Sequence, residues 1–587
     1  MGGVLKYVTT PPDTTKFTGR MEVDGSSVDG GGDGYGVRGA VNLPLIHDQL
    51  ALRISGATRE DPGYITNVDG PSHDVNRAFV DNGRAALLWT PSDLFDVKLN
   101  YLYQQRESHG SSREDYNFAT NQLVYGDLEQ SRVPGSEYDH ERQAIYNATV
   151  DLHLGWGTLT SSTSYAKDAY KSNADLTSEF GPIFQPVFAE NFGVDDFGTG
   201  LFQAFKTNKF TQELRLAGTT DKVDWLGGLF YTRENSHFYQ DFRSIQNENG
   251  QPLTLDGTPF DEFLPLADSI GISHYNEVAA FGDATYHFTP KLSLQLGLRY
   301  SYNYQSGISF SHDGLLGDGS TGIGESHESV PTFVVAPEYK LTRDTTLYAR
   351  IASGYRAGGP NFTLAGANVP SFGSDTTVNY EAGVKTFLFD HKVYMEADGF
   401  YINWSHIQLL GTNALDEEFY ENAGGAVSRG FEFNGQYHPV HGLTLSGNFT
   451  YDDAHLTDPA PSGIAGATGD RLPYSPRVAG QVAADYSHPL VGPWSASVGG
   501  DVSYLGDRES DFQSSFSVPR INLPSYTLLD LHAGVQNGRY SANIFAKNVA
   551  NTRGFEAANA LTLSHIGNYS VAITQPRTVG FSLAAKF

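Results

Sequence analysis

The sequence lacks cysteine, is poor in basic residues and contains no long apolar run. Without cysteine, disulfide scaffolds, cysteine-ligated zinc, iron–sulfur clusters and thiol catalysis are excluded. The 39 Lys and Arg are outnumbered by 67 Asp and Glu, giving a net charge of -28. Because binding phosphates requires clustered Lys and Arg, we expect no nucleic-acid partner. No segment reaches the roughly 18 apolar residues of a transmembrane helix, and the N-terminus lacks the pattern of a signal peptide.

Aromatic residues, in contrast, are abundant, with 33 Tyr and 36 Phe in 587 residues. Such residues are depleted in disordered chains, so the sequence predicts a folded protein. Helical spacing is nearly absent, whereas strict alternation of apolar and polar residues recurs along the chain. The clearest case runs from Leu292 to Tyr304, where Leu and Tyr share one face and polar residues share the other. A strand of about 13 residues is longer than soluble strands usually are and suits a tilted membrane-spanning barrel.

Short and long connections alternate between these segments. The short ones include Thr90–Asp93, Thr289–Lys291, Thr342–Asp344, Asp390–His391 and His438–Gly442. The long ones include Ser108–Asp139, Ser178–Thr207, Asp241–Ser273 and Gly307–Ser329. An outer-membrane barrel has short periplasmic turns and long extracellular loops. The pattern predicts an all-β, antiparallel transmembrane barrel of about 22 strands, from about Lys16 to Phe587, in the outer membrane of a Gram-negative bacterium.

A large secreted β-sandwich or propeller array is the alternative architecture. Strand length and aromatic residues at strand ends favour the barrel, since such residues form girdles at membrane interfaces. Those aromatic residues lie at Tyr101 and Tyr103, at Tyr300 to Tyr304 and at Phe400 to Trp404. The last strand alternates and ends on Phe587, which resembles the C-terminal signal read by the barrel assembly machinery.

Several segments together resemble one family, the TonB-dependent outer-membrane receptors. The opening GGVLKYVTTPPD, Gly2 to Asp13, is similar to the last strand of the plug domain of such receptors. Segments similar to their barrel strands are TQELRLAG (211–218), LYARIASGYRAGGPN (347–361), VNYEAGVKTFLFDHK (378–392), NAGGAVSRGFEFNGQY (422–437), LPYSPR (472–477), LPSYTLLDLHAGV (523–535) and IFAKNVANTRGF (544–555).

The resemblance implies active uptake of a scarce, bulky ligand, with a ferric siderophore as the expected cargo. It implies as partners the TonB–ExbB–ExbD complex acting through the plug, the barrel assembly machinery, and outer-membrane lipids with lipopolysaccharide. Residues 1–15 are expected to be the remnant of the plug's last strand and its hinge, and residues 16–587 the barrel. The chain is thus expected to lack most of the plug, with the natural protein longer. The alternative is a passive pore or surface-binding barrel without energy coupling.

Candidate ligand-binding residues lie in the expected loops and mouth. Phe180, Phe184, Phe188 and Phe192 recur every four residues, but Pro186 interrupts any helix, so we predict an aromatic loop. It either forms an apolar wall for an organic chelate or packs against other loops or lipid. Arg356 and Asn361 follow a strand that rises to the outside. Arg356 either meets an anionic chelate or pairs with a loop carboxylate.

Motifs for enzymatic chemistry are absent. The chain contains no H-E-x-x-H, G-x-S-x-G or P-loop pattern, and its 18 His are scattered. The acidic runs Asp29–Asp33 and Asp313–Glu325 lack EF-hand spacing, so they are expected to be solvated loops. We therefore expect no enzyme activity, no cofactor and no metal site.

Overall fold

The structure is a computed structural model, which describes residues 6–70, 72–262, 265–315, 319–361, 371–412, 418–461, 464, 466–512, 520–559 and 568–587. Its main element is one antiparallel sheet of 22 strands that closes on itself, as predicted. The strands are β1 Thr18–Val28, β2 Asp33–Ile46, β3 Leu50–Asp61, β4 Ala78–Ser92, β5 Phe95–Ser108, β6 Tyr138–His153, β7 Thr158–Asp175, β8 Phe197–Thr219, β9 Val223–Gln246, β10 Ala267–His287, β11 Leu292–Phe310, β12 Thr321–Lys340, β13 Thr345–Arg356, β14 Asp375–Leu388, β15 Val393–Ser405, β16 Gly425–Tyr437, β17 Leu443–Leu456, β18 Val478–Pro489, β19 Ser495–Leu505, β20 Tyr526–Gln536, β21 Tyr540–Lys547 and β22 Thr578–Lys586.

The barrel closes where β1 pairs with β22. Beyond the paired strands, the Gly19 amide donates to the Phe587 carbonyl at 2.6 Å, and the Phe587 amide donates back to the Gly19 carbonyl at 3.0 Å. A Cβ on Gly19 would lie 2.2 Å from a Phe587 ring carbon, so glycine leaves the room that this aromatic side chain occupies. The C-terminal Phe587 is thus part of the seam, while its proposed role as an assembly signal stays a prediction.

One face of each strand is exposed and apolar, and the other is polar. In β11, Leu298 and Tyr300 are 60% and 53% exposed, whereas Ser301 and Asn303, which follow on the opposite face, are fully buried. A soluble strand would bury its apolar face, so the exposed face is the one that meets lipid. Because directly opposed residues share a face, the register then assigns the polar residues of every neighbouring strand to the lumen.

The short connections lie where the sequence predicts them, for example between β10 and β11 and between β14 and β15. The long ones are shorter than predicted, because strands continue into them. β8 already begins at Phe197, inside the predicted loop Ser178–Thr207, and β12 begins at Thr321, inside Gly307–Ser329. Above the membrane both faces of a strand meet loops or water, so alternation is no longer required there and the pattern gives no signal.

The loops carry small elements of their own. Short strands are Thr66–Asn67, Arg113–Asn117, Gln122–Leu123, Glu129–Gln130, Thr254–Leu255, Thr258–Pro259, Gly359–Pro360, Ser371–Phe372, Gln408–Thr412, Glu418–Asn422, Arg508–Glu509, Asn522–Leu523, Phe555–Asn559 and Asn568–Ile573. One α-helix, α1 (Thr177–Phe192), and one 3₁₀ turn, Phe260–Glu262, complete the described elements. Within the described ranges, no helix combines the length and the apolar character needed to cross a membrane.

The N-terminal segment 6–17 has no regular secondary structure and lies along the lumenal wall of the first strands. The Asn42 side chain donates to the carbonyl oxygens of Asp13 and Lys16 at 2.8 and 2.7 Å. Arg84 donates to the Thr10 carbonyl at 3.1 Å. Since Asn42 and Arg84 face the lumen, these bonds hold the segment inside the barrel. Residues 1–5, which include part of the segment that resembles plug sequence, lie outside the described residues.

Candidate functional site

The extracellular mouth is built from loops that pack against each other in three hydrophobic clusters. The first joins the loops that follow β3, β5, β19 and β21 around Ile65, Val571 and Ile573. Its backbone is a four-stranded sheet in which Asn568–Ile573 pairs with both Arg113–Asn117 and Phe555–Asn559. Early and late loops of the chain thereby form one body above the barrel seam.

The second cluster contains the four predicted phenylalanines, and here the prediction of an irregular aromatic loop is wrong. Residues Thr177–Phe192 form α1, with Pro186 inside it. Proline within a helix costs about 3 kcal/mol through the missing hydrogen bond and ring clash. The four-residue spacing, however, places the phenylalanines on one helix face. Phe184 is 4% exposed and Phe188 is fully buried, and burial of such a ring contributes about 1.5–3 kcal/mol. Burial of these rings therefore helps to offset the cost of the two prolines in the helix, at positions 182 and 186.

The aromatic face of α1 packs on the neighbouring loop and strands. The Phe188 ring lies 4.4 Å from that of Phe197 and 4.8 Å from that of Phe260, measured between centroids. Phe180 and Phe192 are partly buried against the same cluster. These side chains therefore pack between loops, which is one of the two roles predicted for them. The part of the cluster that a ligand can reach is its rim, at Phe180 and Phe192.

A carboxyl group borders this aromatic cluster. Asp261 follows the fully buried Phe260 and accepts a hydrogen bond from the Ser244 amide at 3.3 Å. Burial, reinforced by the nearby charge of Asp241, raises the pKa of Asp261 to about 7. Because a raised pKa means that the ionised form is disfavoured, ionisation of this carboxyl opposes closure of the loop around it.

Arg356 pairs with a carboxylate at the mouth, the second of the two roles considered for it. Its Nη2 lies 2.6 Å from Oδ2 of Asp375, whose side chain is only 3% exposed, and it also donates to the Gln408 carbonyl at 3.1 Å. Asp375 stands directly opposite Arg356 in the register of β13 and β14. The Gln408 amide donates to the same carboxylate at 3.2 Å. Arg356 therefore connects two loops, although half of its side chain remains exposed.

Asn361 has a similar connecting role. Its side-chain amide donates to the Tyr420 carbonyl at 2.8 Å and accepts from the Tyr420 amide at 2.8 Å. Asn422 makes the same kind of two-way contact with the backbone of Gly373. Arg356 and Asn361 thus both connect the loop after β13 with the loop after β15. The phenylalanines of α1 belong to a different loop, the one after β7.

The described parts of the loop after β13 fold over the lumen. Glu328, on the lumenal face of β12, accepts the Ser374 amide at 2.6 Å and the Gly358 amide at 3.3 Å. A Cβ on Gly358 would lie 2.2 Å from the Phe372 carbonyl oxygen, so only glycine allows this close approach. Glu328, Asp375 and Gln408 are functional candidates that the sequence did not reveal, because their meeting depends on strand register across long loops.

The loop after β5 contains a buried network of ion pairs that the sequence did not reveal. In the loop after β5, Arg132 makes a bidentate contact with Asp115 at 2.7 and 2.8 Å, and both side chains are less than 10% exposed. Glu137 lies 3.4 Å from Arg132 Nε, and burial raises the pKa of Glu137 despite this neighbour. Removing one partner from such a network leaves a buried charge uncompensated. These residues therefore order the loop.

Metal-binding clusters are not found in the part of the chain that the structure describes: no group of three or more His, Asp or Glu is placed to hold an ion. The resulting candidate site is the mouth and the lumen beneath it. It is lined by loop backbone, by the Arg356–Asp375 pair and by the polar inner wall of the barrel. Such a surface suits binding and passage of a large polar solute.

Comparison with known proteins gives one family and several relatives. The model of the family described as TonB dependent receptor-like, beta-barrel matches residues 80–551. The pesticin receptor of Yersinia enterocolitica is 24% identical over 81% of this chain, which spans 63% of that protein's length. The metal-pseudopaline receptor CntO of Pseudomonas aeruginosa is 26% identical and is matched over 100% of this chain and 77% of its own length.

Solved structures share the architecture. The ferric yersiniabactin uptake receptor FyuA of Yersinia pestis superposes with a TM-score of 0.79 at 18% identity, covering 99% of this chain and 81% of that one. The siderophore receptor PiuA of Acinetobacter baumannii gives a TM-score of 0.74 at 14% identity, with 99% and 82% coverage. At these identities the likeness concerns the fold, a barrel of the same kind.

Proposed function

Since the chain belongs to the TonB-dependent receptor-like β-barrel family, we propose that it forms the barrel of a receptor for TonB-energised uptake of a bulky metal chelate, a ferric siderophore in particular. A closed barrel with an apolar outer belt in this family lies in the outer membrane. The observation that carries the proposal is the mouth itself. Its loops pack in defined clusters and fold over a wide lumen, which suits a receptor that binds its cargo before admitting it.

The chemistry of the cargo is inferred from the relatives. One is named as a receptor for metal-pseudopaline, and a protein of similar fold is named as a ferric yersiniabactin uptake receptor. Both names describe a metal held by an organic chelator. A mouth that combines aromatic rims, backbone amides and half-exposed Arg356 offers apolar surface and hydrogen bonds to such a molecule. We propose no enzymatic role.

The partners follow from the same proposal. An inner-membrane TonB–ExbB–ExbD complex supplies the energy through a plug, lipid and lipopolysaccharide surround the apolar belt, and the barrel assembly machinery reads the terminal Phe587. The position of Phe587 at the seam supports the last point, because its backbone completes the pairing of the first and last strands.

Uptake tests this function. The native gene is expressed in an outer-membrane receptor-deficient, iron-starved strain, and uptake of radioactive iron is measured for a panel of ferric siderophores. We expect saturable uptake of one chelate class, lost when the host's tonB gene is deleted. Uptake that persists without TonB, in proportion to solute size, would instead indicate the passive pore.

A matched pair of variants connects uptake with the mouth. Arg356→Gln removes the cation that holds Asp375, whereas Arg429→Gln removes a cation that pairs with Asp453 on the outer face of the barrel. We expect the apparent affinity for the chelate to fall in the first variant and to stay unchanged in the second. Equal effects of both variants would contradict a binding role for this part of the mouth.

A further inference from the structure

Two arginines on adjacent strands of the lumenal wall have no carboxylate partner among the described residues. Arg84 on β4 stands opposite Ser55 on β3, so Arg53, two residues before Ser55, shares its face and is its diagonal neighbour. Arg84 donates to the Asn100 side-chain oxygen at 2.8 Å and to the Thr10 carbonyl, both neutral acceptors. Among the described residues, no carboxylate lies within ion-pair distance of either guanidinium.

The neighbouring lumenal cations differ from this pair. Arg38 on β2 contacts Glu22, and Lys98 on β5 lies 2.9 Å from Asp151. Their charges are therefore compensated by the wall itself. Arg53 and Arg84 are both half-buried, and a charge held partly away from water is stabilised by a counter-charge. Within this wall, the uncompensated positive charge is concentrated at the Arg53–Arg84 pair.

The opposite wall carries the reverse charge. In a closed ring of 22 strands, strands separated by half the ring face each other, so β3 and β4 face β14 and β15. The lumenal face of β14 to β16 carries Glu381, Glu396, Asp398 and Glu432. Lys385 compensates Glu396 at 2.7 Å. Both groups lie between about the middle of their strands and the short turns. An electric field therefore runs across the lumen from the arginine wall to the carboxylate wall.

We propose that Arg53 and Arg84 form an anion-binding subsite in the lumen, which takes a carboxylate or another compact oxyanion. Two guanidinium groups offer planar, paired donors that match such groups. The negative charge of the opposite wall repels the same anion, so binding is confined to the wall formed by β3 and β4. The source of the anion is either an acidic group of the cargo or an acidic side chain of polypeptide inside the lumen.

This inference deepens the proposed function by naming a chemistry for the path, but its test does not depend on uptake. Binding of citrate to the detergent-solubilised 587-residue chain is measured by isothermal titration calorimetry at low ionic strength, about 10 mM, where screening is weak. The double variant Arg53→Gln/Arg84→Gln is expected to weaken citrate binding about tenfold or more. Lys98→Gln, which removes a lumenal cation already paired with Asp151, is expected to leave it unchanged.

Two further measurements decide the outcome. The double variant Arg53→Lys/Arg84→Lys keeps the charge and is expected to retain part of the citrate binding. Heat-dependent gel mobility verifies that each variant is folded.

Tetraglutamate distinguishes the two sources of the anion. Binding equal to that of citrate indicates a polypeptide carboxylate, and preference for citrate indicates a compact cargo. Absence of citrate and tetraglutamate binding, or equal losses in Lys98→Gln and the arginine variants, would overturn the subsite. Failure of uptake alone would leave it intact.

Discussion

The barrel wall and the loops above it use the same apolar residue types in opposite ways. On the wall, Leu298 and Phe333 face outward and are 60% and 40% exposed, while Ser301 on the inner face is fully buried. In the loops, Phe188 and Phe260 are fully buried. On the wall the apolar surface contacts lipid, and in the loops it packs against other parts of the chain. Alternation therefore reflects the surroundings of a strand, whereas loop structure depends on contacts between distant segments.

The largest expected effect comes from truncating one phenylalanine in each region. Phe188→Ala leaves a cavity in the α1 cluster, and such truncations cost about 3–5 kcal/mol. We expect amide hydrogen exchange in α1 and in the adjoining residues 247–262 to accelerate by the corresponding factor. The membrane-spanning parts of the barrel strands are expected to keep their protection, because the cluster contacts only the extracellular ends of β8 and β9.

Phe333→Ala is the matched change on the wall. Phe333 faces lipid opposite Leu298 in the register of β11 and β12, so lipid fills the space that the ring leaves. We expect little change in hydrogen exchange and a preserved heat-dependent gel shift. Equal losses of protection in the two variants would contradict the assignment of the exposed face to lipid.

The same contrast explains how far the sequence alone could predict the structure. The alternation from Leu292 to Tyr304 predicts β11 and the face that meets lipid, because lipid and lumen impose a period of two. It does not predict that β11 continues to Phe310, since beyond the membrane both faces have similar surroundings. The number of strands and the short turns follow from the sequence for the same reason.

The candidate site was less predictable. For α1, the rule that proline interrupts helices favoured a loop, and burial of Phe184 and Phe188 against Phe260 outweighed that rule. For Arg356, the charge balance already indicated an ion pair, but not that its partner is Asp375. The sequence contains no local signal for a contact that forms only once β13 and β14 are in register across a long loop.

A smaller effect is expected where the loops meet the wall at the mouth. Asp375→Asn removes the charge that holds Arg356 and weakens the bond from the Gln408 amide. Loss of a buried hydrogen-bonding partner costs about 1–3 kcal/mol. We expect faster exchange of the amides in residues 357–361 and 371–374, with the barrel otherwise intact.

Asp61→Asn is the control for this change, because Asp61 forms an ion pair of 3.1 Å with Arg59 in which both side chains are about half exposed. Exposed pairs contribute about 0–1 kcal/mol, so little change in exchange is expected. If Asp375→Asn has no larger effect than Asp61→Asn, burial of the Asp375 carboxylate does not stabilise the loop.

The smallest effect is a dependence of the α1 cluster on pH. Burial raises the pKa of Asp261 to about 7, from an ordinary value of 3.8. Its ionisation therefore opposes the packed loop fully above about pH 7, and this destabilisation is lost progressively as the pH falls toward 4. Between pH 8 and pH 6 the packed loop is expected to gain about 1.4 kcal/mol, or tenfold in exchange protection corrected for the intrinsic rate.

Asp261→Asn isolates the contribution of this carboxyl from that of the neighbouring Asp241. In the variant, exchange protection of α1 is expected to become nearly independent of pH over the same interval. Since the cluster contacts only the extracellular ends of the barrel strands, the protection of their membrane-spanning parts is expected to be constant in both proteins. A pH dependence that survives unchanged in Asp261→Asn would show that ionisation of this buried carboxyl does not control the packing of the loop.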